Sequence, residues 1–199
     1  MSEKFRNKYR IASHRKPGWD YSSNALYYIT LVTQNRVCNL GEIVDTHVRA
    51  YQQLSDFGKI VETEWLKSFE IHDELFLDEY IIMPNHLHAI VEIKKPDELI
   101  DISPVDTHGR AYLRESQSFH RLPKSISSFL AGFKSAVNTK IDDYIDQYQL
   151  NIPKYNRKNH FFQPNYHDHI IRDEQSHKRI SDYIKNNPAN WEKDSFKDK

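Results

Sequence analysis

The sequence predicts an α+β fold: a ferredoxin-like (RRM-like) antiparallel sheet with helices on one face, followed by a C-terminal helix. Segments with the two-residue alternation of strands and segments with the three-to-four-residue spacing of helices follow one another in the order β-α-β-β-α-β. The length of 199 residues also suits one domain with a single core. We therefore expect one domain over residues 1–199, with residues 1–20 as an N-terminal arm.

The first strand and the first helix follow this arm. The first strand is predicted at "ALYYITLVT", which is rich in the β-branched and aromatic residues that favour strands. From Leu54 onward, apolar residues recur every three or four positions, as in an amphipathic helix packed on a sheet. They are Phe57, Val61, Trp65 and Phe69.

The middle of the chain contains two further strands and a second helix. The strands are predicted at "ELFLDEYIIMP" and "HLHAIVEI", with Pro84 and Asn85 in the turn between them. A helix is expected to begin near Ser125, just after Pro123. Its apolar stripe consists of Ile126, Phe129, Leu130, Phe133, Val137 and Ile141.

The last strand and the last helix complete the pattern. The strand is predicted at "HFFQPNYHDHIIR", where Pro164 indicates an edge or a bulge because proline cannot donate to a ladder. The last helix is expected to start at an Asp173 cap and to stop near Asn187, since Pro188 follows. The sheet face opposite the first two helices is expected to stay open.

Composition and charge narrow the classes of function. With 28 basic and 28 acidic residues the formal net charge is zero, so a nucleic-acid partner would have to bind to local basic patches of the surface. The N-terminal arm is one such patch, and Arg10, Arg15 and Trp19 are its candidate DNA contacts; the alternative is a solvated tail. A single cysteine and the lack of an apolar leader or membrane segment predict a cytoplasmic protein with no membrane partner; if it binds DNA, we expect it to be associated with the nucleoid.

Two histidines stand two positions apart in the third predicted strand. Successive side chains of a strand point to opposite faces, so His86 and His88 share the face opposite the apolar stripe. There they could bind a metal ion together, although a His-x-His pair alone is a weak pattern. A second pair, His167 and His169, lies in the fourth strand.

The last helix has a phenol and a carboxamide at helical spacing. Tyr183 and Asn187 are four residues apart and therefore lie on one helix face, with Ile180 and Ile184 nearby to pack on the sheet. A half-buried packing tyrosine and a helix-stop asparagine are the simpler interpretation. The more specific one is that both groups approach the histidine pair.

Four phrases of the chain resemble the REP-associated tyrosine transposases. These phrases are "MPNHLHAIVEI", "SISSFLAGFKSAVNTKI", "FFQPNYHDHIIRDE" and "ISDYIKNNPANW", in the family's order and spacing from about residue 20 to residue 191. That family belongs to the His-hydrophobe-His (HUH) single-strand endonucleases and is allied to single-tyrosine insertion-sequence transposases. The chain departs from the pattern in two loops and in its tail after Trp191, which leaves the identity of the bound DNA open.

The resemblance implies roles for individual residues. His86 and His88 match the family's paired metal ligands, Tyr183 its nucleophile and Asn187 the amide that completes the metal site. The implied activity is a transesterification that nicks hairpin DNA of palindromic repeats with Mg²⁺ or Mn²⁺ and leaves a 5′-phosphotyrosine. His167 or His169 is a candidate to support the metal site. Candidate phosphate contacts outside the arm are Lys134, Lys140, Arg172 and Lys185.

Other interpretations remain open at this stage. An RRM-like module could bind nucleic acid on an open sheet face without catalysis. A hydrolase could bind Zn²⁺ through His86, His88 and His167 or His169. Whether the chain acts as a monomer or a homodimer is not determined by its sequence. The repeat "VDTHVRAY" and "VDTHGRAY", at 44–51 and 105–112, is expected to lie in loops between elements.

Overall fold

The computed structural model describes residues 4–5, 8–9, 16–46, 49–95 and 124–197. Eight strands and three helices lie within these residues. The strands are β1 (Lys4–Phe5), β2 (Lys8–Tyr9), β3 (Ala25–Val32), β4 (Gly41–Asp45), β5 (Ala50–Leu54), β6 (Leu75–Met83), β7 (His86–Ile93) and β8 (His167–Ile171). The helices are α1 (Asp56–Ile71), α2 (Ile126–Gln147) and α3 (Glu174–Asn186). Short 3₁₀ turns occupy Gln34–Arg36 and Pro188–Lys193.

The central sheet has four antiparallel strands in the order β6-β7-β3-β8. With α1 between β3 and β6 and α2 between β7 and β8, this is the strand order of a ferredoxin-like sheet. The predicted fold class is confirmed. Each helix begins where its sequence indicates, because the side chains of Ser55, Ser125 and Asp173 accept a hydrogen bond from a backbone N–H of the first turn.

The main core lies between the sheet and the layer formed by α1 and α2. Trp65 of α1 is its fully buried centre, with ring centroids 5.0 to 5.4 Å from those of Phe69, Phe129 and Phe133. The apolar side chains at alternate positions of β3 and β7, such as Ile29 and Leu87, complete this layer. The helical and strand periodicities therefore point to the same core.

The sequence led us to expect that the opposite face of the sheet would be open. This expectation is wrong, because α3 packs on that face. Ile180 and Ile184 of α3 form a second apolar cluster with Ile90 of β7 and Ile171 of β8. The physical reason is that the two isoleucines of α3 can be buried against Ile90 and Ile171 only on this side of the sheet. The helix therefore rests over one half of the face, beside the histidine pair.

Two segments differ from the expectation. β4 and β5 form an antiparallel hairpin, so the first copy of the repeat lies partly on strands, with Val44 opposite Tyr51, and not wholly in a loop. The second copy, at 105–112, lies outside the described residues. The fourth sheet strand is shorter than predicted: β8 starts only at His167, and before it Phe162 makes one isolated bridge to Thr33. As predicted, β8 is an edge strand.

Among the described residues, each helix is either too short or too polar to cross a bilayer.

Candidate active site

His86 and His88 lie side by side on β7 and face the side of the sheet that carries α3. In the antiparallel register with β3, His86 is opposite Val32 and His88 is opposite Thr30. Their ring centroids are 4.4 Å apart, and they are 0% and 1% exposed. The alternation of the strand thus places the two imidazoles together, as predicted, but in a buried position.

Asn85 determines which nitrogen of His86 is available. The Asn85 amide nitrogen donates to the backbone oxygens of Arg36, at 3.0 Å, and Phe196, at 2.8 Å, which fixes the orientation of the amide. Its oxygen lies 2.8 Å from Nδ1 of His86 and can only accept. Nδ1 of His86 therefore bears the hydrogen, and Nε2 presents a lone pair. This Nε2 is buried and has no hydrogen-bond partner among the described residues.

Two hydroxyls position the ring of His88. Nδ1 of His88 lies 2.8 Å from the Tyr28 hydroxyl and 2.8 Å from Oγ1 of Thr30, both from the neighbouring strand β3. The other ring nitrogen, Nε2, faces α3 and lies 3.4 Å from the Tyr183 hydroxyl. The outer nitrogens of both histidines are thus directed to the same region in front of the sheet.

Burial keeps both imidazoles neutral. It lowers the pKa of His86 from 6.5 to about 4, and the Asp194 carboxylate opposes this shift. The pKa of His88 is lowered well below its usual range, first by burial and then by the proximity of His86 and His167. A neutral imidazole is the form that binds a metal ion.

A third potential ligand comes from the C-terminal segment and was not predicted. The Asp194 carboxylate lies 4.0 Å from Nε2 of His86, and its side chain is 3% exposed. His86, His88 and Asp194 offer three ligand atoms within 4.8 Å of one another. No periodicity or motif in "EKDSF" marks this aspartate, since only tertiary contacts bring it to the histidines.

The C-terminal segment is attached to the site at several points. The turn at Pro188–Lys193 ends with the Asp194 backbone N–H donating to Trp191. Arg36 donates to the backbone oxygen of Ser195 at 3.1 Å, and the Phe196 ring lies 4.9 Å from that of His86. Together with the Asn85 contact, these interactions hold Asp194 in place and cover the histidine pair.

Tyr183 and Asn187 reach the same region from α3. The Tyr183 side chain is 44% exposed, so its hydroxyl can be reached from solvent. Partial burial and then the Asp194 carboxylate raise the pKa of this phenol. Asn187 caps α3 and is 1% exposed. Its amide is close enough to oppose the pKa shift of Tyr183, although no hydrogen bond of standard geometry joins the two.

Polar contacts to β6 fix the position of α3. A bulge between Leu77 and Glu79 interrupts the β6–β7 ladder. Glu79 accepts from Lys185 at 2.8 Å and from Ser181 at 3.4 Å, and Asp78 pairs with His177. These contacts lie along one side of α3, while Tyr183 projects from another. The bulge therefore positions the helix that carries the tyrosine.

His167 and His169 lie on the same face as the histidine pair. His167 is opposite Thr30 and His169 is opposite Tyr28 in the β3–β8 ladder. Both are exposed, and the ring of His167 lies 5.9 Å from that of Phe196. Their predicted supporting role at the metal site stays a prediction. Because α3 and the C-terminal segment cover this face, it differs from the open face that an RRM-like module would present.

The predicted DNA contacts are distributed over both sides of the sheet. Arg172 lies just before α3 and Lys185 lies in its last turn, on the side of the sheet that carries the histidines. Lys134 and Lys140 are on α2, on the opposite side; Lys134 donates to the Gln163 backbone oxygen at 2.7 Å. The Trp19 indole donates to the Tyr27 hydroxyl at 3.2 Å. Arg10 and Arg15 lie outside the described residues.

The donor set fits a divalent cation. Nε2 of His86 and both amide atoms of Asn187 are buried without hydrogen-bond partners among the described residues, a costly state in a folded protein. A carboxylate and two neutral imidazoles face the same place. A cation there would satisfy Nε2 of His86 and the side-chain oxygen of Asn187, as metal sites with nitrogen and oxygen ligands do, whereas the amide nitrogen of Asn187 is a donor and cannot bind it.

A relative of this chain is a protein from Haemophilus influenzae. It is described as an uncharacterized protein and is 30% identical over 198 residues, covering 95% of this chain and 97% of its own length. The chain belongs to one family with this Haemophilus influenzae protein. No protein-family model matches the sequence.

A solved structure shows the same fold. It is that of a REP-associated tyrosine transposase bound to a REP hairpin, and it aligns with 91% of this chain and 74% of its own chain at a TM-score of 0.54. At 15% sequence identity this likeness concerns the fold. The resemblance inferred from the sequence is confirmed at this level: the present chain has the fold of a REP-associated tyrosine transposase.

Proposed function

We propose that this chain is a transposase: a metal-dependent endonuclease and strand transferase that nicks single-stranded DNA through a covalent 5′-phosphotyrosine. The observation that carries the proposal is the 3.4 Å distance from the Tyr183 hydroxyl to Nε2 of His88, beside the His86–His88–Asp194 group. A nucleophile and a cation site in reach of the same phosphate are what in-line phosphoryl transfer requires.

The chemistry follows from the positions of the side chains. A divalent cation, Mg²⁺ or Mn²⁺, would polarise the scissile phosphate and lower the pKa of the phenol when bound. The Tyr183 oxygen forms a bond to phosphorus while the bond from phosphorus to the 3′ oxygen breaks. The phenolic proton passes through solvent to the leaving 3′ oxygen. One phosphoester bond replaces another, so the strand can be rejoined without ATP.

The residues around this site have distinct tasks. His86, His88, Asp194 and Asn187 would hold the cation, and the contacts of Asn85, Tyr28 and Thr30 would orient the two imidazoles. Because Tyr183 reaches His88 within one chain, we propose that a single subunit contains a complete site. A homodimer that exchanges α3 is the alternative.

The proposed substrate is a palindromic-repeat hairpin with a single-stranded flank. The structural neighbour is bound to a REP hairpin, and its fold is shared by this chain. An exposed tyrosine at the edge of a covered sheet face can meet an unpaired strand more easily than a base-paired one. The basic and aromatic arm of residues 1–20 would add contacts to phosphates and bases.

The proposal is tested by incubating the protein with end-labelled hairpin DNA and Mn²⁺ and separating the products on a denaturing gel. Wild-type protein should give a band of covalent protein–DNA adduct, and EDTA should abolish it. Tyr183→Phe and His86→Ala should give none. The matched control is Tyr148→Phe, which removes the hydroxyl of another exposed tyrosine. An adduct with Tyr183→Phe, or none with wild type, would contradict the proposal.

A metal hydrolase is a second candidate, because two histidines and an aspartate are also a common set of Zn²⁺ ligands. In that case the metal would activate water, and Tyr183 would not become covalently attached to the product. Purified protein that retains stoichiometric Zn²⁺ and releases a free 5′-phosphate with Tyr183→Phe would favour the hydrolase.

A further inference from the structure

A cleft lined by three cationic side chains and two carboxylates lies beside the candidate active site, along the outer edge of β8. Its volume is about 390 Å³. One wall is formed by the segment around Lys16 and Tyr21, and the other by the first turns of α3, including Arg179. Arg172, which joins β8 to α3, lies at its base. The cleft is thus built from three parts of the chain that are distant in sequence.

The cations of this cleft are available for a ligand. Lys16, Arg172 and Arg179 are exposed, and none of them forms an ion pair with another residue in the described part of the chain. The ammonium group of Lys16 lies over the Trp19 ring, 5.2 Å from its centroid, in a cation–π contact. Arg179 lies close enough to the Asp173 carboxylate to contribute to lowering its pKa, after the hydrogen bonds from Ser176, so one of the three cations has a partial counter-charge within the cleft.

The two carboxylates of the cleft, Asp168 and Asp173, both have hydrogen-bond partners on the protein. Asp173 caps α3, accepting from the Ser176 backbone N–H at 2.7 Å and from the Ser176 hydroxyl at 2.9 Å. Burial and then a hydrogen bond to the Asp168 carboxylate raise the pKa of the Tyr21 phenol to about 12. Because Asp173 itself fills the N-terminus of α3, the attraction for an anion must come from the side-chain cations and not from the helix end.

The cleft is linked to the candidate active site through His169 and Tyr28. His169 lines the cleft and is opposite Tyr28 in the β3–β8 ladder. The Tyr28 hydroxyl in turn lies 2.8 Å from Nδ1 of His88. One step of two residues along β8 leads from His169 to His167, a distance of about 7 Å. A DNA strand whose phosphate lies at His88 would therefore pass across β8 into the cleft.

We propose that this cleft binds the phosphates of the single DNA strand that adjoins the cleavage point. Arginine side chains bind phosphate oxygens in a bidentate manner, and Lys16 would add a third, more mobile cation. This proposal rests on the function proposed above, because that function supplies single-stranded DNA as the substrate. A flexible single strand can follow the groove around the edge of the sheet, whereas a rigid duplex end cannot. Lys16, Arg172 and Arg179 are thus assigned to strand binding.

The test measures the salt dependence of binding. The triple variant K16Q/R172Q/R179Q is made in a Tyr183→Phe background, and binding of a fluorescent single-stranded oligonucleotide is followed by anisotropy between 50 and 200 mM salt. The control is the triple variant K67Q/R157Q/K158Q, which removes three exposed cations on the helix-layer side. Thermal unfolding of both variants verifies that they fold.

Each lost phosphate contact should reduce the slope of log K against log salt by about 0.7, hence by about 2 for all three. The control variant should keep the slope, and binding of a blunt hairpin without a flank should change much less. An unchanged slope, or an equal loss in the control, overturns the proposal. An equal loss for the blunt hairpin overturns the assignment to single strands.

This outcome is separable from that of the proposed function. Binding in the Tyr183→Phe background needs neither the nucleophile nor cleavage, so the cleft can bind DNA even if no adduct is ever formed. Conversely, an adduct formed by wild type together with an unchanged slope in the triple variant would retain the function and reject the cleft.

Discussion

The side-chain oxygen of Asn85 lies 2.8 Å from Nδ1 of His86 and accepts its hydrogen. The two residues are adjacent in sequence, and Asn85 belongs to the turn between β6 and β7. A turn residue, which the sequence marks only as a turn former, therefore decides that Nε2 of His86 carries a lone pair. The same amide also holds the C-terminal segment through Phe196.

Replacing Asn85 should weaken metal binding. Asn85→Ala removes the acceptor for Nδ1 of His86, and loss of such a supporting contact typically costs about 10- to 100-fold in metal affinity. Asn85→Asp keeps an acceptor but loses the two donated bonds to backbone oxygens. We expect it to retain more of the Mn²⁺ affinity and to lose folding stability. Calorimetric titration with Mn²⁺ measures the affinity, and equal losses in the two variants would contradict the role of the hydrogen bond.

Asp194 should contribute to the same affinity. Asp194→Ala removes a nearly buried carboxylate 4.0 Å from Nε2 of His86, and we expect Mn²⁺ affinity to fall at least about tenfold. Asp146→Ala is the matched control, since this carboxylate pairs with Lys154 on the surface. Calorimetric titration should show a loss for Asp194→Ala alone. Equal affinities of wild type and Asp194→Ala would remove this residue from the site.

The contact between Glu79 and α3 should affect reaction rate more than DNA binding. Glu79→Gln weakens the ion pair with Lys185 and thereby loosens the helix that carries Tyr183. Small misplacements of a nucleophile cost up to about 100-fold in rate. We expect slower adduct formation in single-turnover experiments with an unchanged dissociation constant for the oligonucleotide. Glu70→Gln, an exposed residue of α1, is the control. A rate equal to that of wild type would exclude a positioning role for Glu79.

Folding stability of the metal-free protein should fall in mild acid. The folded state keeps His86 neutral, because burial lowers its pKa from 6.5 to about 4, whereas the unfolded chain binds a proton below about 6.5. The stability is fully present above pH 6.5 and is lost as the pH falls towards 4. At pH 5 the loss from His86 is about 2 kcal/mol.

Urea unfolding at pH 7.5 and pH 5.0, in the presence of EDTA, measures this difference. His86→Gln should show a smaller decrease than wild type, because it lacks the titrating imidazole. A wild-type protein that is equally stable at both pH values, or a variant that loses as much as wild type, would show that His86 is not held neutral by the fold.

Local patterns were sufficient to predict most of the fold and half of the site. The alternation in β7 predicted that His86 and His88 share a face, and the i, i+4 spacing in α3 predicted the same for Tyr183 and Asn187. Both patterns depend only on the geometry of one element. The distance between the histidine pair and the Tyr183–Asn187 pair depends on how α3 packs on the sheet. Ile180 and Ile184 indicated this packing in the sequence.

The remaining features depend on tertiary contacts that have no local signature. Asp194 follows a 3₁₀ turn and reaches His86 only because Asn85 and Arg36 hold the segment after it. Lys134 resembled a free cation in sequence, but the loop around Gln163 uses its ammonium group as a donor to backbone oxygens. The β4–β5 hairpin was missed because its strands, "GEIVD" and "AYQQL", show little apolar alternation.

The most direct test of the central claim is to find the residue to which the DNA becomes attached. Wild-type protein is reacted with a single-stranded hairpin oligonucleotide and Mn²⁺, digested with trypsin and nuclease, and analysed by tandem mass spectrometry. We predict a nucleotide joined through its 5′-phosphate to the Tyr183 oxygen, and to no other tyrosine. Attachment at a different residue, or cleaved DNA with only unmodified Tyr183 peptides, would contradict it.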